Sequence, residues 1–180
     1  GINDNGTGVA TILETALQMG PSPEVANAVR FGFWAGEEEG LFGSNDYVRS
    51  LDVEALKDVA LYLNFDMIAS PNTGYFTYDG NQSTAVGRDQ AIPRVPEGSA
   101  GIERTLVAYL DSQGKPAEDT FFDGRSDYDG FTTAGIPAGG LFGQIAAGID
   151  PHAREINSIV DAVQARIPLW REELLPVRNP

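Results

Sequence analysis

The stretch "VALYLNFDMI", residues 59–68, decides the fold class. It is an apolar run of strand-forming residues, closed by the turn sequence "SPNTG", and it reads as a buried β-strand. Asp66 falls inside it, preceded by Leu61, Leu63 and Phe65 and followed by Met67 and Ile68. A carboxylate within so apolar a run implies a partner other than solvent.

Working outward, "AVRFGFWA" (28–35) has the aromatic and β-branched content of a second core strand, ending at Gly36. "YFTYDG" reads as a short strand, and "GIPAGGLF" as a short apolar strand among glycines. Between these lie helical patterns. "TGVATILETALQM" places Val9, Ile12, Leu13, Ala16 and Leu17 on one face before "GPSP" stops it. "SNDYVRS" (44–50) predicts a helix with Ser44 as its cap, and "DVEALKD" another with Asp52 as its cap. "IERTLVAYLDS" (102–112) is amphipathic through Ile102, Leu106, Val107 and Leu110, whereas residues 81–101 read as an irregular loop. A last helix is predicted over 154–170, stopped by Pro168. Strands alternating with helices give an α/β architecture: a central, largely parallel or mixed sheet with helices on both faces. The three apolar strands at 28–35, 60–65 and 136–142 are expected to be interior neighbours.

The 180 residues make one domain with 42% hydrophobic content, enough for a sizeable core. With 26 acidic against 12 basic residues, the formal charge of −14 disfavours nucleic acid and anionic membranes as partners. Divalent cations or cationic substrate ends fit better. The absence of cysteine excludes disulfides and thiolate metal ligands. The chain opens at a Gly-rich turn, "GINDNGTG", directly before a helix, which suggests a domain spanning 1–180 that is N-terminally incomplete.

In open α/β sheets, ligands bind beyond the carboxyl ends of the strands, and that rule selects among the acids. Glu37 and Glu38 follow the strand at 28–35, Asp66 closes its own strand, and Asp4 lies in the turn before the first helix. Gathered without a cation, four carboxylates would raise one another's pKa values, so the arrangement favours a divalent metal among them. Taken alone, Asp4 reads as a helix N-cap and Glu39 as a solvated turn residue.

The stretches "GINDNGTGVATILETA", "VRFGFWAGEEEGLFGSNDYV", "YLNFDMI" and "GRSDYDGFTTAGIPAGGLF" resemble, in order, the bacterial secreted two-zinc aminopeptidases of clan MH, of the leucine aminopeptidase type. The resemblance covers residues 1–143. It implies a zinc-exopeptidase-like fold in which Asp4 bridges two metals, Glu37 is the general base, Glu38 and Asp66 are metal ligands, and Arg125 lies near the substrate carbonyl. It also implies a secreted, monomeric enzyme acting on peptides with a free N-terminus. The family's remaining imidazole ligand comes from a late Asp-Pro segment. Here "GIDPHARE" offers the only histidine, His152, at a displaced position, so a ligand role and a surface helix-start role both stand. A His and an Asp that the family supplies upstream of "GINDNG" have no counterpart, so the expectation is at most one firmly held zinc rather than two. Three readings follow: a zinc aminopeptidase, a non-catalytic metal- or peptide-binding module on the same fold, and a structural domain with acidic turns.

Overall fold

The computed structural model describes residues 1–70, 73–85 and 93–145. The helix predicted over 154–170 lies outside them. Helix α1 spans Gly8–Met19, α2 Phe42–Ser50, α3 Val53–Lys57, α4 Ser99–Ser112 and α5 Asp129–Thr133. Strand β1 spans Tyr62–Asp66, β2 Thr73–Tyr78, β3 Glu118–Thr120 and β4 Ala138–Ile145.

The four strands form one mixed sheet in the order β1-β4-β2-β3. β1 runs parallel to β4, with Tyr62 opposite Ala138 and Asp66 opposite Phe142. β2 is antiparallel to β4 and parallel to β3. The two strands expected from "LYLNF" and "IPAGGLF" are therefore neighbours. Their approach depends on glycine: a Cβ on Gly140, at φ 145°, would sit 1.8 Å from the Asn64 carbonyl oxygen.

Helices cover both faces, as the pleat shows. Successive side chains of a strand point to opposite sides. On one side a Cβ at Gly139 would come 2.3 Å from Ile102 Cγ2, so α4 lies against that face. On the other, the Phe131 ring of α5 stacks on Tyr62 at 3.9 Å between centroids. Tyr62 also joins the two clusters of buried side chains, one of Tyr78, Val95, Phe122, Tyr128 and Ala138, the other of Val48, Phe131 and Ile136.

Residues 28–35 depart from expectation: they form no strand. β1 ends the sheet and pairs only with β4 among the described strands, and residues 28–35 make no ladder with its free edge. Side chains hold the segment instead. Trp34 Nε1 donates to the Tyr62 hydroxyl at 3.0 Å and its ring lies 5.1 Å from that of Tyr47, while Phe33 stays 51% exposed. Two smaller expectations sort in opposite ways. Asp52 does cap α3, accepting from the Ala55 amide at 2.9 Å. Ser44 is not a cap; it lies inside α2, fully buried, because α2 begins two residues earlier, at Phe42.

Candidate active site

The turn at residues 2–7 is docked onto the end of β1 by amide side chains. Asn5 donates from Nδ2 to the Phe65 carbonyl at 3.0 Å, and its Oδ1 accepts from the amides of Gly8 (3.0 Å) and Met67 (3.3 Å). Asn3 donates to Ser70 Oγ at 3.0 Å. The side chain that accepts the first amide of α1 is thus Asn5, not Asp4. An amide can donate to the strand and accept from the helix at once, which a carboxylate cannot. Asp4 is left free of that structural duty and sits beside the carboxyl end of β1.

The acidic triplet occupies the tight turn that enters α2. Gly36, at φ 71°, reverses the chain, and the Glu37 carbonyl accepts from the amides of Gly40 (3.0 Å) and Leu41 (2.9 Å). The turn separates its three acids by burial: Glu37 is half-buried, whereas Glu38 and Glu39 are exposed. Among the described residues no hydrogen-bond donor reaches the Glu37 carboxyl.

Asp66 is 8% exposed at the end of β1, and Ser126 Oγ donates to its Oδ2 at 2.8 Å. The loop that brings Ser126 also brings Asp127, which the sequence reading did not single out. Asp127 accepts from the buried Ser44 Oγ at 2.5 Å, across 83 residues of chain. Its signal was the repeated acid of "GRSDYDGF", but the pairing with Ser44 is a long-range fact that no local pattern carries.

These acids act on one another. Burial and then the charges of Asp66, Asp127, Glu38 and Asp4 push Glu37 from 4.5 up to about 7. Glu38 is raised by a hydrogen bond shared with the Asp4 carboxyl and by repulsion from it. Burial raises Asp66, with Ser126 opposing and the charges of Asp4 and Asp127 adding. Asp127 is raised by burial against the opposing Ser44 hydrogen bond. Carboxylates from four chain segments therefore share one electrostatic neighbourhood.

The other expected residues stand apart. Arg125 is exposed and engaged by its neighbour, with Nε donating to Asp123 Oδ2 at 2.7 Å. His152 lies outside the described residues. Among the described residues, no Lys or Arg side chain pairs with Asp4, Glu37, Glu38, Asp66 or Asp127. Nor do three His, Cys, Asp or Glu side chains among them close together as a metal-holding group. The donor chemistry nonetheless suits a divalent cation: oxygen ligands, unpaired with any basic side chain, whose mutual repulsion a positive charge would relieve.

The sequence profile of peptidase family M28 matches residues 1–164. Over 142 residues, 79% of this chain, it is 71% identical to the Mycobacterium tuberculosis protein named "Probable lipoprotein aminopeptidase LpqL", of which it covers 28%. It is 49% identical over 142 residues, again 79% of this chain, to an aminopeptidase of Pseudomonas aeruginosa, of which it covers 25%. The chain thus spans about a quarter of the length of these relatives. Among solved structures, a zinc aminopeptidase from Bacillus subtilis superposes on 99% of this chain and 43% of its own, with a TM-score of 0.59 at 21% identity. That likeness shows a shared fold.

Proposed function

The chain belongs to peptidase family M28, and from that premise we propose that it is the catalytic part of a metal-dependent aminopeptidase, releasing N-terminal residues from peptides. The observation that carries the reading is the state of Glu37: burial first, and then the charges of Asp66, Asp127, Glu38 and Asp4, push its carboxyl up to about 7, and no donor among the described residues engages it. A general base works best with a pKa near the operating pH, so Glu37 is suited to take the proton of an attacking water and return it to the leaving amine. Asp4, Glu38 and Asp66 are the residues that would hold zinc, with His152 as a further candidate. When bound, zinc lowers the pKa of water and polarises the scissile carbonyl. The surplus of carboxylates would also attract the free ammonium group of a peptide, selecting substrates by their N-terminus. Arg125 would be available to a substrate carbonyl if released from Asp123.

The relatives' names extend the reading to place. A lipoprotein relative suggests an extracellular or envelope-associated enzyme, and no helix among the described residues is long and apolar enough to cross a membrane.

The test is hydrolysis of leucine p-nitroanilide by the purified protein, before and after chelation and with zinc restored. Activity lost to the chelator and recovered with zinc is the expected result. Tight zinc binding without hydrolysis would favour the binding-module reading instead.

A further inference from the structure

A chain of hydrogen bonds, part-buried at Trp34 and Tyr62 and buried from Asn64 onward, runs from the 28–35 segment into Asp66, and its polarity is fixed by chemistry at one end. The Trp34 indole can only donate, and it donates to the Tyr62 hydroxyl at 3.0 Å. The Tyr62 proton goes on to Asn64 Oδ1 at 3.0 Å. With Oδ1 held as the acceptor, the Asn64 amide has one orientation, and Nδ2 donates to Ser126 Oγ at 2.8 Å and to the Tyr78 hydroxyl at 3.1 Å. Ser126 Oγ, already accepting from Asn64, turns its single proton to Asp66 Oδ2 at 2.8 Å. Every link points the same way, and Asn64 and Ser126 are both buried.

We propose that Asn64 is a positioning residue for Asp66: its amide, locked by Trp34 and Tyr62, obliges Ser126 to donate to Oδ2 and thereby fixes which oxygen of Asp66 is left to face the cluster of acids. The inference rests on the reading that Asp66 serves a metal. β1 supplies the geometry, since residues 62, 64 and 66 of one strand share a face. Neighbouring hydrogen-bonded dipoles strengthen one another in a low-dielectric interior, so a break far from Asp66 is felt at its carboxylate. The device also explains why a tryptophan is useful at position 34 in a segment that forms no strand: a donor-only group there sets the direction of everything downstream.

The test measures zinc affinity by competition with a chromogenic chelator, alongside the melting temperature of the zinc-free protein. The variants are Tyr62→Phe, which removes the lock and keeps the ring stacked on Phe131, Asn64→Leu, which removes the amide, and Asp66→Asn as a reference. Asn64→Leu acts one bond further out than a direct partner of the ligand, whose loss costs about 10–100-fold, so it is expected to weaken zinc binding by about 10-fold, the low end of that range. Tyr62→Phe should weaken it less, in the same direction, with the zinc-free melting temperature nearly unchanged. If Asn64→Leu fails to fold, Tyr62→Phe decides alone. Wild-type zinc affinity in Tyr62→Phe and in any folded Asn64→Leu, with affinity lost in Asp66→Asn, overturns the positioning role and leaves the metal reading standing. Zinc affinity untouched by Asp66→Asn, or absent from the wild type, overturns the metal reading and the positioning role with it.

Discussion

Two groups of carboxylates sit on this sheet, and they are built differently. At the β2–β3 side, Asp79 is 2% exposed and accepts from the amides of Ser83 and Thr84, both at 3.0 Å, and from Thr84 Oγ1. Glu103, 6% exposed on α4, accepts from the Asn81 amide at 2.8 Å and from its side chain. Asp119 completes the group and is raised by burial and by the charge of Asp79. At the end of β1, in contrast, the Glu37 carboxyl accepts nothing among the described residues, and Glu38 meets another carboxyl rather than a donor. Clustered negative charge is common to both. What differs is hydrogen-bond satisfaction: acids saturated by backbone amides hold a loop in shape, whereas acids left to repel one another store unfavourable energy that a cation or a proton can release.

The largest effect should come from removing the unsatisfied acid. Glu37→Gln preserves size but cannot accept a proton, so turnover of an aminoacyl anilide is expected to fall about 10²–10⁴-fold with zinc still bound. Wild-type turnover in that variant would erase the functional side of the comparison. Next comes Asp79→Ala, which removes a buried acceptor from the amides of Ser83 and Thr84 and the Thr84 hydroxyl. A loss of about 1–3 kcal/mol in urea unfolding is expected, with activity per folded molecule retained. Should activity disappear while the fold stays intact, the second group is not merely structural.

A smaller effect concerns pH in the zinc-free protein. Glu37 has a folded pKa near 7 against an ordinary 4.5, so between these values the folded state holds a proton that the unfolded chain has given up. Its contribution to stability is therefore fully present below about 4.5 and is lost as pH rises through 7. Melting temperatures measured from pH 5 to 8 should fall across that window, and Glu37→Gln should flatten the fall. An equal slope in the variant would assign the dependence to the other raised acids.

The expected strands of "LYLNF" and "IPAGGLF" form and pair, although Leu61 and Leu63 stay exposed and the buried side chains of β1 are the polar Asn64 and Asp66. The helix α1, the cap at Asp52 and the grouping of acids after apolar runs were likewise readable from pattern alone. The 28–35 segment shows where pattern stops: a composition that suits a strand here makes a side-chain-tethered segment that pairs with no described strand. Asp127 shows it again, since its local context is that of any polar loop until Ser44 arrives from 83 residues away.

What the sequence by itself determined is the pair of apolar strands that become β1 and β4, the helices α1 to α4 and the acidic character of the strand ends, since residue periodicity and the placing of acids after apolar runs are local properties of the chain. The tertiary structure decided which acids come near one another and in what state. It gave the Gly8 amide to Asn5 rather than Asp4, brought Asp127 in, and aligned Trp34, Tyr62, Asn64 and Ser126 on Asp66. Each of these depends on a hydrogen-bond partner distant in the chain, and an acid's charge state follows from the donors and charges around it in space rather than from its neighbours in sequence.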